Sequence, residues 1–331
     1  MKKLFATTLA FFGAVAILAA PSLGRAQCVL PSNATVQQRI ACLEHKLQYV
    51  EISEDASGNP LVIVKGANVQ IVRDIGETGT GNLIVGEGHT WEGASNSFVA
   101  GNNNTVSGFA ASVSGGKGNT ASEEHSSVSG GTGNTASGKF SSVCGGQNNT
   151  ASNLFTAVIG GSGNSALARN STVSGGYLNR ADQSYSSVSG GRENKASGAY
   201  SAVSGGYLNS ATGYYSAVSG GEKNIAFGQA ASTSGGLSNN ARGNHASISG
   251  GSANTAWSNA SSVSGGYANA TNGAGASVSG GSGNTANGGW SSVTGGQGNF
   301  ANGDYGAVSG GRGRGTVGFW QWRAGDLFQW N

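Results

Sequence analysis

A valine recurs every 15 residues through most of this chain, and that spacing constrains the fold more than any other feature. Aligned on a Val-Ser-Gly-Gly quartet, the copies fall at Val113, Val128, Val143, Val158, Val173, Val188, Val203 and Val218. Thr233, Ile248, Val263, Val278, Val293 and Val308 continue the series without insertion or deletion, and two degenerate copies precede it at Leu83 and Phe98. A fixed period marks a stack of structural units, each too small to bury an apolar face alone. Without that period the chain would read as linker or low-complexity sequence. It holds 60 Gly in 331 residues and only 10% charged residues, against roughly 7% and about 25% in ordinary domains.

Each repeat position has a physical reading. Asn stands six residues after the valine position in an unbroken series from Asn104 to Asn299. Stacked Asn side chains can hydrogen-bond along the stack and to the turn backbone. Ala follows two residues later almost throughout, with Val106 and Thr271 as exceptions; the two-residue offset places Asn and Ala on one face of a short strand. The glycines mark corners that need positive φ or close backbone approach. The predicted rung is therefore two short strands, Ser-Ser-Val-Ser and Asn-x-Ala-x, joined by glycine corners and paired in parallel at about 4.8 Å. The predicted fold class is all-β: a parallel β-roll or β-solenoid of about sixteen 15-residue rungs, with a short N-terminal helix. The only prolines are Pro21, Pro31 and Pro60, so the repeat keeps every N–H for its ladder.

The interior so predicted is thin, one Val and one Ala per rung, and fifteen residues must be ordered around it. Further apolar burial is expected from the column three residues before the valine. It contains His125, Phe140, Phe155, Tyr185, Tyr200, Tyr215, His245, Trp290 and Tyr305. Rings aligned on a thin solenoid form either a stacked flank or a surface for a second chain. Subunit packing through Phe140, Phe155, Tyr185, Tyr200, Tyr215, Trp290 and Tyr305 is the expectation, with a homotrimer as the assembly.

The flanks divide the chain into five segments. Residues 1–26 read as a secretory signal peptide: Lys2 and Lys3, an apolar stretch Leu4 to Ala20, then Pro21 and the small-x-small site Gly24-Arg25-Ala26. No membrane span is expected after its cleavage, so the localisation is secreted, extracellular or at the cell surface. Residues 27–52 hold Val36, Ile40, Leu43, Leu47 and Val50 at heptad spacing, a short helix or coiled coil. Cys28 and Cys42 are near enough in sequence to form a disulfide in an oxidising compartment. Residues 58–82 form a β neck, with residues 61–73 reading as two strands around Gly66. The repeat domain spans 83–315, and 316–331 is an aromatic C-terminal cap carrying Phe319, Trp320, Trp322, Phe328 and Trp330.

The pattern Ser-Val-Ser-Gly-Gly-x-x-Asn-x-Ala-x-Gly resembles the head repeats of trimeric autotransporter adhesins, the YadA-like left-handed β-roll family. The resemblance covers residues 83–315. It implies a trimer of β-rolls displaying an adhesive surface toward matrix proteins, glycans or cell-surface ligands, with hemagglutinin-like behaviour. The repeat here is 15 residues, one longer than that family's usual unit. The sequence closes at Asn331 without the family's stalk or membrane β-barrel, so only the head architecture carries over.

Residue chemistry points away from catalysis. His45, His89, His125 and His245 are scattered without metal-ligand spacing. Asp182 and Asp304 are the only Asp in the repeats, against one per unit in calcium-binding rolls. No nucleophile elbow, phosphate loop or paired carboxylates stand out. No enzyme, metal or cofactor is expected, and a net charge of +3 without a basic patch argues against nucleic acid. The expected function is an adhesin-like structural and binding protein. Ligand contact is assigned to exposed corners that vary between rungs, such as Tyr177, Tyr207 and Tyr267. Two alternatives remain open: an ice-binding solenoid using Ser-x-Ser files such as Ser127 with Ser129, and a passive spacer or coat protein.

Overall fold

The computed structural model describes residues 35–40, 50–54, 60–64, 71, 80–324 and 327–329. Two units divide the chain, Met1–Gln70 and Ile71–Asn331. The first contains a helical turn at residues 36–40. Thr35 and Gln38 cap it reciprocally: Thr35 Oγ1 accepts from the Gln38 N–H at 3.2 Å, and Gln38 Oε1 accepts from the Thr35 N–H at 2.9 Å. Val36 and Ile40 are exposed. Val50, expected to close the helical seam, instead opens the strand Val50–Glu54, which pairs antiparallel with Pro60–Val64. The hairpin thus begins earlier than the predicted neck. The proposed signal peptide, Leu43, Leu47, Cys28 and Cys42 lie outside the described residues, as does most of the second neck strand.

The second unit is a parallel β-solenoid of about sixteen turns. One sheet carries the valine column and runs from Leu83–Glu87 through two-residue strands such as Ser127–Val128 and Ser142–Val143. A second, from Thr105–Val106 to Gly315–Thr316, carries the alanine column. Between them, single bridges stack at one corner, as in Lys117 to Thr132 and Thr132 to Gln147. Nearly every pairing joins residues 15 apart, so each residue type sits above itself.

Four side-chain columns fill the interior. Val143 and Ala151 represent the apolar two, exposed by 1% and 0%. Asn149 represents the third. Its Nδ2 donates to the Gly145 carbonyl and to the Gly161 carbonyl of the next rung, both at 2.9 Å. Its Oδ1 accepts the backbone N–H of Asn164, again at 2.9 Å. Each buried amide therefore fills three bonds, and the Asn column clamps successive glycine corners together. The fourth column, two residues before the valine, lies beyond the sequence-based core: Ser126, Ser141, Thr156, Ser186 and Ser201 are fully buried. Ser201 Oγ donates to the Gly198 carbonyl at 2.6 Å and accepts from the Gly198 N–H at 3.2 Å, closing the far corner.

The two corner glycines do different work. The second, represented by Gly131, has φ near 88°, and a Cβ there would collide with the Gly146 carbonyl oxygen. The first, represented by Gly130, has open space where a Cβ would stand. That slack is used at the start of the roll. Phe98 pairs with Ser112 and Val99 with Val113, a step of 14 residues, so Val99 occupies the valine column, not Phe98. The rung Val99-Ala100-Gly101 simply lacks the first glycine. At the other end the period persists beyond residue 315: Val308 pairs with Arg323, and Thr316 is buried in the alanine column. Gln321 replaces the buried Ser, its Oε1 accepting from Val317 and Gly318 at 2.9 and 3.0 Å. The strand Trp322–Ala324 then pairs antiparallel with Leu327–Gln329, which ends the parallel stack.

Candidate binding surfaces

The solenoid presents two unlike outer faces. On the valine sheet the outward residues flanking each valine are almost all Ser, Ala or Thr; Ser127 with Ser129 and Ser247 with Ser249 are representative, and Cys144 and Ile159 stand out. The alanine sheet shows no such uniformity. Its outward positions hold Thr120, Arg180, Lys195, Phe227, Arg242, Trp257 and Phe300. Ion pairs span some of these: Arg180 contacts Asp182, and Lys195 lies 3.4 Å from the same carboxylate. Elsewhere Asn272, Asn287 and Asn302 link side chain to side chain at 2.6 Å.

Of the three predicted contact tyrosines, two come together. Arg192 sits between Tyr177 and Tyr207, its guanidinium carbon 5.6 and 5.3 Å from the ring centroids. Its Nε donates to Glu193 Oε1 at 2.9 Å, and that hydrogen bond raises the arginine above its ordinary range. Tyr267 occupies the same corner column but pairs between Ser252 and Ser282, well away from the other two.

The ring column forms separate stacks. His125 and Phe140 lie 5.0 Å apart, and Phe140 and Phe155 5.2 Å. Asn170 interrupts them. Tyr185 and Tyr200 stack at 4.7 Å and 2°, Tyr200 and Tyr215 at 4.9 Å. Tyr305 stacks on Trp320 at 4.0 Å, while Trp290 covers Gly275. Two features of this column escape sequence reading. Its rings from His125 to Tyr305 adopt left-handed φ, from 55° to 59°, and its seven Phe, Tyr and Trp rings from Phe140 to Tyr305 remain 42–64% exposed. An aromatic residue in that conformation costs roughly 1–2 kcal/mol, which a stacked pair worth about 0.5–1.5 kcal/mol only offsets.

A further cluster lies outside the sequence-based expectations. Phe227, Arg242 and Trp257 stand one above another on the alanine face, in three consecutive rungs. The guanidinium of Arg242 lies 4.1 Å from the Trp257 ring centroid. With its amide oxygen turned to the guanidinium, Asn240 accepts from Nε at 2.9 Å and from Nη2 at 3.1 Å. Together with Ile225 these residues line an open cleft of about 380 Å³. The signal was present in the sequence as bulky residues recurring at 15-residue spacing, in a column that elsewhere is mostly Ser, Thr or Asn.

Fold and surfaces define a repetitive parallel β-solenoid, compatible with a structural or adhesin-like repeat protein. No protein-family model matches the chain, and no curated protein matches it.

Proposed function

We propose that this chain is an exported, non-enzymatic display protein, built like the YadA-like adhesin heads and working as a homotrimer. One observation carries the reading: the inward columns barely change between rungs, whereas corner and alanine-face positions change from rung to rung. A rigid lattice with freely varied outward residues suits recognition of glycans or matrix proteins by spaced patches. Binding of purified protein to glycan and matrix-protein arrays tests it. A blank array at micromolar concentration would overturn the display reading. Export is supported by Lys2, Lys3, the apolar stretch and Gly24-Arg25-Ala26; the secreted chain should begin at Gln27 on N-terminal sequencing.

The trimer is supported by the half-exposed rings held in costly backbone conformations. The empty space at Gly130 and its equivalents, beside the flat Ser face, leaves room for close approach of another copy. Multi-angle light scattering should return three times the chain mass. The same flat face favours a second reading, ice binding through the Ser-x-Ser files, although Ser lacks the methyl group of Thr. Thermal hysteresis in the purified protein would establish that alternative, and its absence removes it.

A further inference from the structure

We infer that the cleft formed by Ile225, Phe227, Asn240, Arg242 and Trp257 is a binding site for a carboxylated sugar, a uronic-acid-type pyranose at an accessible position of a glycan. This deepens the display reading by giving one patch a ligand class, and it rests on that reading for its biological setting.

Charge selects the carboxylate. Several cations on the solenoid surface have acidic partners, among them Lys139 with Glu124 at 3.0 Å, Arg192 with Glu193 at 2.9 Å and Lys223 with Glu222 at 2.8 Å. Arg242 has none among the described residues. It is nonetheless held in place, stacked on Trp257 and, with the Asn240 amide oxygen turned toward it, hydrogen-bonded through Nε and one proton of Nη2. The Nη1 protons and the second Nη2 proton remain, which is the end-on fork that accepts a carboxylate bidentately. Fixing the guanidinium beforehand removes much of the ordering cost of binding.

Shape selects the sugar. Phe227 is 62% exposed and Trp257 50%, both in a column that elsewhere is mostly Ser, Thr or Asn. Exposed flat rings beside one oriented polar group are the usual makeup of a small-molecule subsite, and a ring face suits the C–H face of a pyranose. The cleft volume of about 380 Å³ is the size of a monosaccharide subsite, not of a protein interface.

The backbone disfavours the obvious competitor, an acidic peptide added as a strand. The strands Ile225–Ala226 and Asn240–Ala241 are paired on both sides. They offer no free N–H or C=O to an added strand, so a peptide cannot gain main-chain bonds there and would be held by its side chains alone. A sugar keeps its hydroxyls in water at the open rim.

Titration calorimetry with the full chain tests this, using oligogalacturonate, the neutral oligogalactose of equal length, and poly-glutamate. Oligogalacturonate should bind, with neutral sugar and poly-glutamate at least about tenfold weaker. Arg242→Met should abolish that preference. Arg242→Lys should recover only part of it, because the fork is lost. Trp257→Ala should weaken binding while the circular dichroism spectrum stays unchanged, since the side chain points outward. Equal binding of acidic and neutral sugars, an unaffected Arg242→Met variant, or tighter poly-glutamate binding would each overturn the site. Array binding by the parent chain together with no oligogalacturonate binding in calorimetry would sink this inference and leave the display reading standing.

Discussion

At the scale of single residues, the structure separates positions the sequence presents as equals. The two glycines of Val-Ser-Gly-Gly look interchangeable, yet at Gly130 and Gly131 only the second lies at positive φ and against the next rung's carbonyl. Gly131→Ala should therefore cost well over about 1 kcal/mol, whereas Gly130→Ala should stay within about 1 kcal/mol; urea unfolding of the two variants compares them directly. Thr271 stands fully buried where most other rungs have Ala, and its hydroxyl has no hydrogen-bond partner. Thr233, buried in the valine column, does find one, donating to the Ile225 carbonyl at 3.2 Å. Thr271→Ala is expected to stabilise by about 1–3 kcal/mol, the penalty of an unsatisfied buried hydroxyl; a lower denaturation midpoint would contradict that assignment. The Asn column was legible in the sequence because an amide repeated at every rung must have the same partners at every rung. The buried Ser column was not. Ser is so common here that inward Ser201 and outward Ser204 look alike until the pleat is known. The Arg242 cluster was missed for the opposite reason, because variation at an outward position reads as indifference to solvent.

At the scale of the rung, period and register were legible wherever the valine is unambiguous, and failed where neighbouring residues are all apolar. Leu83-Ile84-Val85 and Phe98-Val99 each offer two alignments. Constant 15-residue spacing selects Phe98, while the ladder selects Val99, because a one-residue slip would turn every side chain to the other face. The missing residue is absorbed at the first glycine, where space is free. Deleting Gly130 should likewise leave a folded roll, since Val99-Ala100-Gly101 already makes this corner with one glycine. Deleting Ala136 from within a strand should not, because Asn134 and the following corner would fall out of step with both neighbours. Proteolytic resistance of the two single-residue deletions distinguishes the outcomes. At the C-terminal end the side chains depart from the repeat while the backbone does not. Arg323 takes a valine's place because Gln321 satisfies the last corner and the antiparallel strand follows.

At the scale of the whole solenoid, stability comes from neighbours along the axis, rung upon rung, with no central core to collapse around. That architecture supports itself through Asn clamps and paired strands, yet it leaves a column of rings neither buried nor free. Tyr185, Tyr200 and Tyr215 stack on one another, remain 42–53% exposed, and hold left-handed φ that Asn would adopt more cheaply. Asn170 occupies the equivalent position in the same column without disturbing its rung. If the rings served only their own chain, replacing all three by Asn would relieve backbone strain and remove stacking of similar size, leaving stability nearly unchanged. If they pack against other copies, as proposed, the same triple substitution removes apolar area from an interface and leaves the rung itself intact. Light scattering on the triple variant should then give the mass of a single chain, with the β-type circular dichroism of the parent. A variant that keeps the parent's mass would assign the rings to the flank of one chain and remove the main support for the trimer.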